Sequence, residues 1–186
     1  MGNPSQKDLF EIIPLIAKEF NINIHIINST GYCCSQPYES KAFFNAQILM
    51  QQKTMNFLNQ FNHKIPIIID NTSCSYAFKK NEIYKNFQFI DSIEWIYDLY
   101  KKYPNKFNKI YDKIYLQNLC SLQKTNLTNK LIEILEQISN QIDVSPFSEC
   151  CGFAGDKGMF YPEILQSSTR KIKNRLKNHT YDVYSK

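Results

Sequence analysis

Glycine is scarce in this chain, with only five among 186 residues. Three of them, Gly152, Gly155 and Gly158, fall in the nine-residue segment 150–158, which reads CCGFAGDKG. Glycine lets a backbone adopt left-handed conformations and approach another group closely. Backbone N–H groups in such a loop can point at negative charge, as thiolate sulfur would supply. The segment is therefore the first candidate for a binding loop.

Other features are missing altogether. No stretch approaches the roughly 18–20 apolar residues that span a bilayer, and the N-terminus lacks the character of a signal peptide. The net charge is +5, but the lysines are interleaved with acidic residues and form no basic stripe. Binding to nucleic acid is therefore not expected. We expect a cytoplasmic protein, with contact to the inner membrane made through partners.

In a reducing compartment, six cysteines are more often ligands or thiols than a disulfide framework. They are Cys33, Cys34, Cys74, Cys120, Cys150 and Cys151. Four thiolates are the usual ligands of an iron–sulfur cluster. No C-x-x-C pair is present, which disfavours a zinc knuckle or a thiol-redox motif without excluding either. A single buried cysteine can also be no more than a small apolar residue.

The hydrophobic pattern alternates between strands and helices. Strands are expected at 23–27, 65–70, 87–90, 109–117 and 141–145, and helices at 7–20, 40–62, 92–100, 126–140 and 162–177. This order predicts an α/β fold with mainly parallel strands and helices on the faces. A break at Pro104 suggests two similar halves, 1–105 and 106–186. The cysteines would lie in loops after strand ends, where such sheets usually bind ligands.

The segment 150–158 resembles the CCG motif of the cysteine-rich domain family. That family includes the cysteine-rich subunit of heterodisulfide reductase, the iron–sulfur subunit of glycolate oxidase and the C-terminal region of FAD-linked D-lactate dehydrogenase (cytochrome), the branch that the segment resembles most. Three further segments are similar to that branch: 33–41 (CCSQPYESK), 69–74 (IDNTSC) and 116–124 (LQNLCSLQK).

The resemblance implies a metal-binding role for all six cysteines. Cys33, Cys34 and Cys74 would serve the first half, and Cys120, Cys150 and Cys151 the second. The implied cofactor is an iron–sulfur cluster, expected to be 4Fe–4S, with the amides of Gly152, Gly155 and Gly158 near its sulfurs. Electrons would pass from flavin toward a cytochrome or quinone. The implied partners are that acceptor and an FAD-binding dehydrogenase domain or subunit, and no catalytic residue is expected in this chain.

Three departures from the family pattern leave it undecided whether a cluster forms. The cysteine expected before the first pair and the one expected after the second would both lie outside residues 1–186, and Ser35 stands where the first motif usually has glycine. The chain thus looks like an internal piece of a longer enzyme. A labile cluster could be completed by a non-protein ligand, by a partner, or by His25, His63 or His179, although the last two are expected at the surface. The alternative is a non-catalytic remnant or interaction module that keeps the fold without a cluster.

Overall fold

The computed structural model describes residues 9–146, 151–152, 157–177, 180–181 and 183–185. The chain divides into two compact units, residues 1–33 and 34–186. The predicted halves 1–105 and 106–186 stay a prediction. In the first unit, helix α1 spans Leu9–Glu19 and contains Pro14. It ends where the N–H groups of Phe20 and Ile22 donate to the carbonyl of Ala17, at 3.2 and 2.8 Å.

The strand predicted at 23–27 is wrong, because this segment is irregular in the structure. Its β-branched residues suit a strand, but a strand also requires a hydrogen-bonded neighbour. Neither sheet among the described residues includes it. Ile26 is accordingly 75% exposed.

The second unit has short strands and mostly short helices. The helices are α2 (Gln36–Ser40), α3 (Phe44–Leu58), α4 (Thr72–Lys80), α5 (Ser92–Lys102), α6 (Cys120–Lys124), α7 (Thr128–Ile138), α8 (Lys157–Phe160) and α9 (Pro162–Lys177). The strands are β1 (Ile67–Ile69), β2 (Phe89–Asp91), β3 (Tyr111–Leu116), β4 (Ser139–Val144) and β5 (Val183–Ser185). Two 3-10 turns, Glu82–Tyr84 and Pro104–Lys106, precede β2 and β3.

The strands form two parallel sheets, which confirms the predicted α/β class. Strand β1 pairs with β2, with Ile67 opposite Phe89. In the other sheet β3 lies between β4 and β5, with Leu116 opposite both Val144 and Ser185. Parallel strands require crossover connections, which the intervening helices supply. Because the strands are parallel, the carboxyl ends of each sheet lie at one edge.

Each sheet packs on its own apolar cluster. Next to the first sheet, the cluster is built around Leu58, Tyr84, Phe87 and Phe89. Next to the second, it is built around Ile114, Leu116 and Leu135. Leu116 is fully buried at the end of the central strand. Ile114 and Tyr115 are buried with it, whereas residues 111–113 are partly or well exposed. The sequence indicated this strand correctly.

Helices α5 and α7 pack against each other. This contact links the part of the chain that carries the first sheet to the part that carries the second. Tyr97 donates its hydroxyl to Glu133 at 3.0 Å, and Lys101 pairs with the same carboxylate at 2.7 Å. The hydrogen bond from Lys101 and then that from Tyr97 hold the pKa of Glu133 below its usual range. Both partners of the ion pair are well exposed, so the pair contributes little to stability. It marks the contact between the two helices.

The segment after α9 is fastened by Tyr181. Its ring packs on Tyr115 of β3, with centroids 5.5 Å apart, and its hydroxyl donates to Asp143 of β4 at 2.6 Å. Burial, followed by this hydrogen bond, raises the pKa of Tyr181 to about 12. This contact precedes β5, which pairs with β3. The sequence did not indicate β5.

Candidate metal centre

The carboxyl edge of the second sheet is braced by buried polar groups. The N–H of Asn118, after β3, donates to the hydroxyl of Ser145, after β4, at 2.8 Å. Thr128 and Gln123 donate to the side chain and the carbonyl of Asn118, at 3.1 and 3.3 Å. Asn118 and Ser145 are both 2% exposed. The sequence signal for them is a polar residue that closely follows a strand.

This bracing lies beside Cys120 of the second set of cysteines. Cys120 is the first residue of α6, two positions after Asn118, and its side chain is exposed. The segment that carries Cys150 and Cys151 leaves the same edge after Ser145. Cys120 was predicted to lie in a loop, but it lies at the start of a helix. A helix start favours a thiolate, because its unpaired N–H groups carry partial positive charge.

Cys74 also lies at the start of a helix, so its predicted place in a loop at a strand end is corrected as well. The side chain of Asn71 caps α4 and accepts from the N–H groups of Ser73 and Cys74, at 3.0 and 3.2 Å. The capping asparagine lets the helix begin directly after β1. Helix α4 packs against α6, with the Lys124 ammonium 6.0 Å from the centre of the Tyr76 ring. The two helices that begin near Cys74 and Cys120 are therefore neighbours.

The first cysteine pair ends in a strained turn. Cys34 is 6% exposed and Ser35 1%. Ser35 adopts a left-handed conformation, with φ of 65°, directly before α2. Its hydroxyl accepts a hydrogen bond from the Gln51 amide of α3 at 3.2 Å. The position at which the sequence departs from the family's glycine is thus one whose backbone conformation favours glycine.

Gly152 occupies the corresponding turn after the second pair. Its φ is +78°, and a methyl group added at its Cα would lie 1.9 Å from the hydroxyl oxygen of Ser168 in α9 and 3.1 Å from the Cα of Leu165. A φ of this sign and the absence of space both require glycine here.

The two turns belong to a repeated arrangement: a cysteine pair, a left-handed residue, a short helix, a long helix and a short parallel strand. In the first copy these are Ser35, α2, α3 and β1, and in the second Gly152, α8, α9 and β5. Gln51 lies 16 positions after Ser35, and Ser168 lies 16 positions after Gly152. The first copy therefore has a hydroxyl at the turn and an amide on the helix, whereas the second has glycine at the turn and the hydroxyl on the helix.

This geometry predicts an unusual order of stability at position 35. Ser35→Gly removes backbone strain of about 1 kcal/mol and loses a hydrogen bond of similar value, so the free energy of unfolding should change little. Ser35→Ala loses the hydrogen bond but keeps the strain. We expect the alanine variant to be about 1 kcal/mol less stable than the glycine variant, measured by urea unfolding. Equal stability of the two, or a more stable alanine variant, would contradict the assigned conformation.

Two carboxyl groups lie at the carboxyl edge of the first sheet. Asp91 is fully buried and accepts from the N–H of Ile93 at 3.0 Å, forming a capping box with Glu94. Its second oxygen and the hydroxyl of Ser75 have no well-formed hydrogen bond within the described part of the chain, although the two side chains are near each other. Burial raises the pKa of Asp91, and this effect outweighs that of the polar neighbours, which lower it. Burial and then the charge of Asp91 also raise the pKa of Asp70.

A raised pKa means that the folded protein holds this proton more tightly than the unfolded chain. The contribution of Asp91 to stability is therefore full below its unfolded pKa and is lost as the pH rises through the folded pKa. Asp91→Asn keeps the helix cap without the buried charge, so its stability relative to wild type should increase from about pH 3 to neutral pH. Asp91→Ala should cost about 1 kcal/mol through the lost cap. Thermal unfolding across this pH range measures both, and a parallel pH dependence of Asp91→Asn and wild type would contradict the raised pKa.

The structure leaves part of the predicted ligand set undetermined. Cys150, Gly155 and His179 lie outside the described residues, and Cys33 ends the first unit, whereas Cys34 begins the second. Within the described ranges no three side chains of Cys, His, Asp or Glu are grouped so as to hold one metal ion. None of the five described cysteines forms a disulfide. Whether the six thiols share sites stays a prediction.

The other predicted residues are placed as follows. Gly158 is buried in α8. His25 is exposed. His63 was expected to be a plain surface residue, but it is half-buried against Phe87, with ring centroids 4.3 Å apart.

The donors that are described fit an iron–sulfur cluster in their chemistry. They are thiols, the ligand that such clusters prefer, and two of them lie in first turns of neighbouring helices.

Residues 115–184 match the CCG cysteine-rich domain. The match confirms the predicted resemblance over this part of the chain and includes Cys120, Cys150, Cys151 and the glycine loop. The CCG domain indicates a function related to iron–sulfur or metal binding. No curated protein and no solved structure matches the chain. No helix among the described residues has the length and apolar character to cross a membrane.

Proposed function

We propose that this chain is an iron–sulfur electron-transfer region of an FAD-dependent dehydrogenase acting on D-lactate or a related 2-hydroxy acid. The observation that carries the proposal is the CCG domain match, together with the repeated cysteine-pair turn at Ser35 and Gly152. A bound cluster would supply single-electron transfer from reduced flavin to an acceptor. Flavin and substrate chemistry belong to another domain or chain. The acceptor would be a cytochrome or quinone.

The chain's own residues would hold and tune the cluster. Cys120, Cys150 and Cys151 would supply three thiolates in the second half, and Cys33, Cys34 and Cys74 three in the first. The first-turn N–H groups of α4 and α6 would stabilise the thiolate charge. The amides of the Gly152 turn would donate to sulfur, with those of Gly155 and Gly158, which tunes the potential of such sites. A fourth ligand in either half would come from one of the histidines, a partner chain or a small molecule.

Anaerobic reconstitution of the full chain with iron and sulfide tests the proposal. We expect a brown protein with broad visible absorbance that is lost on reduction with dithionite. Mixing the reconstituted protein with a flavin dehydrogenase reduced by D-lactate should bleach the absorbance faster than D-lactate alone. A colourless protein without bound iron would contradict cluster binding. A brown protein that reduced flavin cannot bleach would contradict only the assignment to the dehydrogenase.

A further inference from the structure

Large apolar side chains are exposed where α8 meets α9. Met159 is 71% exposed, Phe160 70%, Tyr161 52% and Ile164 39%. They are consecutive or one helical turn apart, so they form a continuous surface, the apolar tip. Apolar patches of this kind usually mark a surface that contacts another molecule.

Basic side chains continue this surface along α9. Arg170, Lys171, Lys173 and Lys177 are exposed, and none of the four has an ion-pair partner in the part of the chain that the structure describes. Lys171 follows Ile164 by two turns and lies on the same face of the helix. The only acidic residue of α9 is Glu163, in its first turn. Lys171 therefore extends the apolar tip along the helix, and Arg170, Lys173 and Lys177 lie on the remaining exposed side of α9.

Helix α9 is amphipathic and lightly covered. It is about 24 Å long, and none of its described residues is buried. Its partly buried side, which includes Leu165 and Ser168, faces the Gly152 turn, and the cationic side faces away. The cations are spread along the helix, which suits a continuous layer of negative charge better than a single acidic side chain. Aromatic and apolar residues beside lysine and arginine are the composition of helices that lie in a lipid headgroup region.

We propose that the α8–α9 surface docks the chain on an anionic lipid bilayer. Met159 and Phe160 insert among the headgroups, and Lys171 and its basic neighbours contact the phosphates. The inference is independent of the proposed function, because it requires neither a cluster nor a flavin partner.

The first copy of the repeat supplies a natural comparison. At the junction of α2 and α3, Phe43 is 58% and Phe44 61% exposed, and Ile48 and Leu49 are exposed one turn further. Helix α3 has only one basic residue, Lys53. The same place in the two copies thus exposes apolar residues, but only the second copy adds this series of basic side chains.

Co-sedimentation of the full chain with phosphatidylglycerol–phosphatidylcholine vesicles at low salt tests the proposal. We expect binding to these vesicles and little to pure phosphatidylcholine. Lys171→Gln with Lys173→Gln should weaken binding by about 30-fold, and Met159→Ser with Phe160→Ser should weaken it comparably. The matched control, Lys64→Gln with Lys85→Gln, makes the same charge change at exposed sites away from α9 and should leave binding nearly unchanged. Phe43→Ser with Phe44→Ser is the control for apolar area.

Several results would overturn the proposal. They are absence of binding to the anionic vesicles, equal binding to pure phosphatidylcholine, or equal weakening by the control lysine variants. Loss of self-association in Met159→Ser with Phe160→Ser, without any vesicle binding by wild type, would assign the surface to a second copy of the chain. All substituted side chains are exposed, so unfolding midpoints should match that of wild type and confirm that the variants are folded.

Discussion

Gly152→Ala should lower the free energy of unfolding by about 3 kcal/mol, the largest single effect on stability that we expect. Two costs combine. An alanine at φ of +78° adopts a left-handed conformation, at about 1–2 kcal/mol. Its methyl group would also lie 1.9 Å from the Ser168 hydroxyl, and relieving such overpacking costs about 1–3 kcal/mol. Urea unfolding followed by circular dichroism measures the change.

Ser168 provides the control that separates the two costs. Ser168→Ala removes the clashing hydroxyl, whose present bond to the Leu165 carbonyl is local and 3.1 Å long, so alone it should cost little. Combined with Gly152→Ala, it should restore the stability that overpacking removes. The cost of the left-handed backbone conformation should remain. Additive effects of the two substitutions, or a Gly152→Ala variant as stable as wild type, would contradict the geometry of the turn.

Cys120→Ser combined with Cys151→Ser should remove at least half of the iron bound after reconstitution. The pair removes two of the three thiolates proposed for the second half. Cys120 is exposed and Cys151 only partly buried, so the unfolding free energy of the apo protein should stay within about 0.5 kcal/mol of wild type. A loss of iron would then report a loss of ligands and not of folding. The buried Cys34 could not separate the two effects.

Ser121→Ala is the matched control, one position further along α6. It alters the same helical turn without touching a thiol, and we expect normal iron content. Iron that is unchanged by the double cysteine substitution, or reduced equally by Ser121→Ala, would contradict the assignment of these residues as ligands.

The sequence predicted what depends on local pattern. The strand β3 and the helix at 162–177 were predicted correctly, because each is decided by nearby residues. The predicted helix at 40–62 was too long. Ala42 adopts a φ of 57°, which separates α3 (Phe44–Leu58) from α2, and α2 ends at Ser40.

The sequence could not supply what depends on distant contacts. The same β-branched pattern gave a correct strand at β1 and a wrong one at 23–27, because only the first has a neighbour to pair with. Asn71 reads as a turn residue but caps α4, which moves Cys74 from a loop into a helix. The exchange of hydroxyl and glycine between the Ser35 and Gly152 turns becomes visible only when Gln51 and Ser168 are located on their helices.

The most direct test of cluster binding is the iron and acid-labile sulfide content of the anaerobically reconstituted chain. We predict iron and sulfide in nearly equal amounts, in stoichiometric ratio to protein, and the loss of at least half of both in Cys120→Ser with Cys151→Ser. Protein that holds neither, or stoichiometric zinc released by substitution of Cys150, would contradict this prediction.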